Sequence, residues 1–304
     1  MLCSTFFDSK RNEKTKKRRR NEEDEREKTV DGTGKTQYNA MTITVGVLAL
    51  QGAFYEHIQQ LKVAAEKLRG SSKTFTKEQW EFIEVRTPAE LARCDGLIIP
   101  GGESTAMALV AARSNLLEPL RDFVKKPTWG TCAGLILLAE SANRTKRGGQ
   151  ELIGGLDVRV NRNHFGRQTE SFYAPLDLPF LPGDAGPFRA VFIRAPVVEK
   201  VLSAKDGIQD GELAIDGTVV APSRKPESEV AREAMADKVE ILGKLPAKAD
   251  GSDGPGDIVA VKQGNVFGTS FHPELTDDVR IHMWWLCQVS EAAAKLQKAE
   301  VVVR

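Results

Sequence analysis

The sequence predicts an α/β fold, an open and mostly parallel sheet flanked by helices. Three observations predict it. Residues 42–50 form a nearly continuous apolar, β-branched run, the pattern of a strand buried on both faces. Short runs of this kind then alternate with segments of helical periodicity, which implies right-handed crossovers between parallel strands. Glycine-bearing turns, at 101–102 and 130–134, fall directly between a predicted strand and a predicted helix. In open α/β sheets that is where ligands bind.

The elements follow in order. After the strand at 42–50, residues 54–68 read as a helix, with Ile58, Leu61, Ala65 and Leu68 on one face. Short strands are expected at 81–85 and 96–99. Ser114 reads as the N-cap of a helix through 124. A strand at 127–131 and a helix at 133–141 complete the first half. The second half is richer in strands, expected at 156–160, 188–193, 258–261 and 266–271. A further pair, 213–215 and 219–221, is joined by Asp216-Gly217, a hairpin signal. The last helix is expected over about 276–298, with Asp277 and Asp278 in its first turn and Lys295 and Lys298 near its end.

Two stretches stand apart. Residues 1–40 hold a basic run, Lys10 to Arg20, followed by an acidic one over 22–27, and read as a disordered charged tail. The basic run also has the composition of a nuclear-targeting or RNA-binding patch. A solvated tail, or a start site set upstream of Met41, is the preferred reading. Residues 222–257 are polar, with a Gly/Asp/Pro-rich end and a short helix expected near 227–238, and belong to a surface insertion at about 207–257. Residues 41–304 are expected to form one domain.

Composition narrows the class. The chain has 304 residues, 41% hydrophobic and 28% charged, enough for a core and ordinary for a globular protein. A net charge of +1 gives no overall field toward nucleic acid or a membrane surface. No run approaches the roughly 18 apolar residues of a membrane span. Cys3, Cys94, Cys132 and Cys287 are too sparse for a disulfide scaffold or a zinc site. No metal and no cofactor is expected, and a reducing, cytoplasmic setting is.

The chemistry-bearing residues are few. Gly130-Thr-Cys-Ala-Gly134 has the form of a nucleophile elbow, which sets Cys132 on a sharp strand-to-helix turn. The Ala133 N–H is then free to face an oxyanion. His272, in Ser270-Phe-His-Pro-Glu-Leu275, can act as base, with Glu274 beside it as orienting carboxylate, since residues i and i+2 of a strand share a face. Pro100-Gly-Gly-Glu-Ser-Thr105 offers further N–H donors at Gly101 and Gly102. A phosphate-binding turn is the bland alternative there, but no P-loop lysine follows. His57 and His282 read as structural histidines on helices. His164 lies beside a candidate ligand-binding stretch.

Taken together these segments resemble the class I (triad) glutamine amidotransferases, whose sheet is flavodoxin-like. More narrowly, they are similar to the family of glutaminase subunits of pyridoxal 5′-phosphate synthase. The narrower resemblance rests on Gly46–Ala53, Glu56-His57, Pro100–Thr105, Gly130–Leu135, Arg162-Asn-His-Phe-Gly-Arg-Gln168, Phe192-Ile-Arg-Ala-Pro196 and Ser270–Leu275. It covers about residues 42–206 and 258–290. It implies Cys132 as nucleophile, His272 as base and acid, and Glu274 as its partner. It also implies L-glutamine binding by Gly102, Glu103, Ser104, Arg162, Ile193 and Arg194. Charge logic agrees: arginines suit the α-carboxylate and Glu103 the α-ammonium of a free amino acid. The implied partner is a (β/α)₈ synthase subunit that takes up the ammonia. This chain lacks the length and repeat for that barrel. The alternatives at this stage are a glutaminase for a different synthase, a cysteine peptidase on a similar sheet, and a non-catalytic scaffold with the same fold.

Overall fold

The apolar run near residue 45 becomes the strand around which the parallel half of the sheet is built. The computed structural model describes residues 29–30, 36–37, 41–71, 75, 78–143, 150–162, 171–182, 185–202, 212, 215, 217–222, 238–246 and 256–303. Thr29–Val30 (β1) and Thr36–Gln37 (β2) pair antiparallel, apart from the main sheet. The remainder of the expected tail lies outside the described residues.

In chain order the main elements begin with Met41–Leu48 (β3), Phe54–Ser71 (α1) and Glu78–Val85 (β4). Pro88–Ala92 (α2) starts at a capping box: Thr87 Oγ1 accepts the Glu90 N–H and the Glu90 carboxylate accepts the Thr87 N–H. Gly96–Ile99 (β5), Ser104–Arg113 (α3), Leu117–Phe123 (α4), Thr128–Thr131 (β6) and Ala133–Leu138 (α5) follow. Then come Ala139–Asn143 (β7), Leu156–Asn161 (β8), Phe172–Leu176 (β9), Phe188–Phe192 (β10) and Val197–Val201 (β11). Thr218–Val220 (β12), Glu240–Lys244 (β13), Ile258–Gln263 (β14) and Val266–Thr269 (β15) complete the strands. A 3₁₀ turn, Pro273–Leu275, leads to Arg280–Val303 (α6).

The strands β4, β3, β5, β6 and β15 are adjacent and parallel in that order. The register aligns their ends. Ile99 sits opposite Gly130 and Thr131 opposite Thr269, so β5, β6 and β15 deliver their following loops to one edge of the sheet. Beyond β15 the sheet continues through antiparallel β14, which β13 and β11 also join, and then through β8, β7 and β12. Strands β9 and β10 form a separate antiparallel pair.

Two apolar layers cover the sheet. On one face α1 contributes Leu61, Ala64 and Leu68, and α6 contributes Trp285, Leu286 and Val289. On the other, α3, α4 and α5 contribute Met107, Leu120 and Leu138. Each fully buried leucine of this kind contributes roughly 1.5–3 kcal/mol. Among the described residues no helix is long and apolar enough to cross a membrane.

Several elements depart from the sequence expectations, for physical reasons. Ser114 ends α3 rather than starting a helix: its N–H and hydroxyl both bond to the Val110 carbonyl, and the next helix begins at Leu117. The helix expected over 133–141 stops at Leu138, because Ala139–Asn143 pairs with β8 and β12. Thr218–Val220 pairs with β7, and the expected strand at 213–215 falls outside the described residues apart from Ile215. The last helix starts at Arg280, whose N–H is accepted by Asp278. Within the stretch read as an insertion, β12 matches the strand expected at 219–221, while β13 was not expected. The helix expected near 227–238 falls outside the described residues, apart from Lys238, which is not helical.

Candidate active site

Cys132 links β6 to α5 and has φ 49° and ψ −102°, a conformation that a side chain adopts only under constraint. The constraint is visible. The Cys132 N–H donates to the Thr269 carbonyl of β15 at 2.8 Å. Gly134 packs so closely that a Cβ there would overlap the Ile99 carbonyl of β5. The elbow is thus pinned from both neighbouring strands, which holds a strain of about 1–3 kcal/mol. As the first residue of α5, Ala133 has no carbonyl one turn back within the helix for its N–H.

His272 leaves the end of β15 three residues after Thr269. Its backbone N–H donates to the Val191 carbonyl of β10 at 2.8 Å. Its Nδ1 lies 2.8 Å from Glu274 Oε1, so that nitrogen carries the proton and Nε2 is left for the thiol. The Cys132 side chain is close enough to the ring to favour its protonated form. His272 and Glu274 do meet, though not by strand pleat as expected. The strand ends at Thr269, and the 3₁₀ turn at Pro273–Leu275 brings the two side chains together.

The electrostatics follow from this packing. Burial opposes a charge on His272, but its hydrogen bonds to Cys132 and Glu274, with their charges, outweigh that and push its pKa up to about 10. Burial likewise opposes a charge on Glu274, yet its histidine neighbours His57 and His272 hold its carboxyl below the usual range. His272 is therefore built to carry a proton, and Glu274 to stay ionised.

The loop after β5 closes the third side. A Cβ on Gly101 would overlap the His272 ring, so this position requires glycine for close approach. Gly102 has φ 155° and stands before α3. Glu103 caps α3, accepting the N–H groups of Thr105 at 3.1 Å and Ala106 at 2.6 Å, and remains half-exposed. Ser104 is buried. Its hydroxyl donates to Gln150 Oε1 at 3.0 Å and accepts from Arg162 Nη2 at 2.8 Å. Arg162 also reaches Thr105 Oγ1 at 3.2 Å and stands 3.9 Å from the Glu103 carboxylate. Ile193 is half-buried and Arg194 exposed, with φ 44°, just beyond the strand whose Val191 holds His272. His164, with the rest of 163–168, lies outside the described residues.

The profile of the SNO glutamine amidotransferase family matches residues 47–228 and 227–291. The chain belongs to that family. Among curated relatives it is 42% identical to the probable pyridoxal 5′-phosphate synthase subunit PDX2 of Arabidopsis thaliana, over 82% of this chain and 87% of that one. It is 40% identical to the pyridoxal 5′-phosphate synthase subunit PdxT of a Nocardioides species, over 82% and 96%. It is 39% identical to the probable subunit SNO3 of Saccharomyces cerevisiae, over 81% and 96%. A crystal structure titled as a glutamine amidotransferase is 34% identical, with a TM-score of 0.53, over 81% of this chain and 98% of that one.

Sequence reasoning missed the residues behind the site of this amidotransferase. His57 and His282, read as structural, meet at 3.0 Å, and His57 Nε2 lies 3.3 Å from Glu274 Oε2. A signal was available. His57, Leu61, Ala64 and Leu68 recur at helical spacing and all are fully buried, so His57 belongs to the inward stripe of α1. Gln150 and Asn143, which support Ser104 and the Arg162 backbone, carried no sequence signal.

Proposed function

We propose that this chain is a glutamine amidohydrolase, the ammonia-supplying subunit of a pyridoxal 5′-phosphate synthase. The observation that supports it most is the convergence of Cys132, His272 and Glu274 at adjoining strand ends, with Gly101 against the base. Family membership and the names of the relatives point the same way.

The reaction follows from the atoms present. The Cys132 thiolate attacks the side-chain amide carbon of L-glutamine. The oxyanion that forms is stabilised by N–H groups from Gly101, Gly102 and Ala133, each well-placed donor giving about 3 kcal/mol. His272 donates its proton to the amide nitrogen, the C–N bond breaks, and ammonia leaves. His272, now neutral, takes a proton from water, and the hydroxide attacks the thioester. The C–S bond breaks, glutamate departs, and the pair is restored. Glu274 holds the imidazole through both steps.

Arg162 is set to pair the substrate α-carboxylate, with Ser104 and Gly102 beside it. Glu103 offers its half-exposed carboxylate to the α-ammonium, and Ile193 and Arg194 border the pocket. Residues 41–304 act as one glutaminase domain, and the ammonia passes to a (β/α)₈ synthase subunit. A reducing cytoplasm suits a site that needs a free thiol at Cys132.

The test is glutamate release from glutamine, with and without the cognate synthase subunit, for the wild type and Cys132→Ala. Release that needs the partner and is lost in the variant supports the reading. No release by folded protein with a competent partner overturns it.

A further inference from the structure

Glu274 is buried to 3% exposure, and its two carboxylate oxygens have different neighbours. Oε1 takes the His272 Nδ1–H at 2.8 Å. Oε2 is shut from solvent and has no well-aligned hydrogen bond among the described residues; His57 Nε2 stands 3.3 Å from it. A buried carboxylate is costly unless its lone pairs are met by donors. His57 is the group in position to do so.

The protonation of His57 is fixed by what surrounds it. Burial pushes its pKa down, against the pull of Glu274, which favours the neutral ring. One nitrogen then carries hydrogen. If that were Nδ1, a bare Nε2 lone pair would face the Glu274 carboxylate, which is repulsive. Hydrogen therefore sits on Nε2, where Thr131 Oγ1 accepts it at 3.4 Å and the Glu274 carboxylate stands beside it at 3.3 Å. Nδ1 becomes an acceptor, and His282 Nε2 donates to it across 3.0 Å. His282 is also fully buried, and burial with the neighbouring His57 pushes its pKa well down. Trp129 packs its indole edge-on against both rings, at 5.6 Å and 5.1 Å between centroids.

We propose that His57 is a positioning residue of the triad: with His282 behind it, it holds the Glu274 carboxylate by the oxygen that His272 does not use. The bond directions are consistent throughout. His282 donates to His57, His57 directs its N–H to Thr131 with Glu274 Oε2 3.3 Å from the same nitrogen, His272 donates to Glu274, and His272 keeps Nε2 for Cys132. A pair of apolar side chains would fill the crossing of α1 and α6 without the cost of burying two imidazoles. The pair makes physical sense because it fixes an anion that the base depends on. This inference rests on the triad reading above.

The test uses the full chain with its synthase partner, and steady-state glutaminase kinetics from pH 5 to about 11. In His57→Leu, kcat is expected to fall about 10- to 100-fold with KM for glutamine unchanged, as for loss of one hydrogen bond to a charged group. The alkaline limb of kcat/KM moves to lower pH, because a loosened carboxylate supports the His272 imidazolium less. His57→Gln, whose amide can still donate toward Glu274, recovers part of both effects. A merely structural role would lower the active fraction without moving the limb. Should His57→Leu not fold, His57→Met and His282→Leu replace it, with the same direction expected. A folded His57→Leu (or its replacements) with wild-type kcat and an unmoved limb overturns the proposal. Failure of all three variants to fold also overturns it, since the pair is then structural. Cys132→Ala separates the two claims. If that variant still releases glutamate, the triad reading falls; if it is inactive while the His57 variants are normal, only the role of His57 falls.

Discussion

His272 Nδ1 lies 2.8 Å from Glu274 Oε1, and the carboxylate is the more deeply buried partner, 3% exposed against 8%. The anion thus sits behind the base, away from water that would screen it. Glu274→Gln keeps the shape and removes the charge. We expect kcat to fall about 100- to 10,000-fold with little change in KM, because the amide cannot stabilise the imidazolium. The sign of the pH effect is set by the raised pKa of His272, about 10. Loss of Glu274 lowers it, so the alkaline limb of kcat/KM retreats toward neutral pH. A pH–rate profile in which the limb stays in place would refute this role.

Gly101 touches the same ring from the other side. Gly101→Ala places a methyl group where the His272 ring now is. Either the ring or the loop must move, and a shift of about 1 Å in a reacting group costs about 100-fold in rate. We expect that loss in kcat, with thermal stability reduced by only a few degrees. Activity within twofold of wild type would show that the loop does not abut the base in the working enzyme.

Arg162 is held on the first turn of α3 by Ser104 and Thr105, at 2.8 Å and 3.2 Å. On the proposed function its place in the reaction is substrate binding, not chemistry. Arg162→Met is expected to raise KM for glutamine about 10- to 100-fold, the range for a lost charge-assisted hydrogen bond, with a much smaller change in kcat. Ser104→Ala should act in the same direction, more weakly. Saturation kinetics distinguish this from a catalytic role, in which kcat would fall at unchanged KM.

What the sequence made legible tracks how local each cause is. The Cys132 elbow needs two glycines within two residues either side, so the pattern is complete in five residues. His272 and Glu274 are two apart, and their meeting was expected, though a 3₁₀ turn achieves it rather than a strand. His57 and His282 are 225 residues apart, and nothing in either segment names the other. The parallel strands were legible because burial on both faces demands continuous apolar runs, as over β3. Ala139–Asn143 was not: Ala-Glu-Ser-Ala-Asn lacks the β-branched residues of a strand, and only pairing with β8 and β12 makes it one. Val197–Val201 has such residues but follows Pro196 and carries Glu199 and Lys200, which hid it.

The buried histidine pair also sets how stability responds to acid. Burial lowers the pKa of both His57 and His282 from 6.5, so neither takes up a proton in the folded state where it would in the unfolded chain. Below that value the unfolded state binds more protons than the folded one, and stability falls as pH falls. Above it, both states are neutral at these positions and the contribution is complete. His272 is shifted the other way: its contribution is full below 6.5 and is lost only as pH rises toward about 10, so it does not mask the acid limb. Glu274, held low, adds its own loss only once the pH drops below its ordinary value of 4.5. Urea midpoints measured between pH 5 and 7.5 should therefore decline on the acid side in the wild type. In a folded His282→Leu variant that decline should be shallower, since one imidazole no longer titrates on unfolding. A His282→Leu curve parallel to wild type would mean that His282 takes up a proton as readily in the folded protein as in the unfolded chain, and that its burial does not hold it neutral.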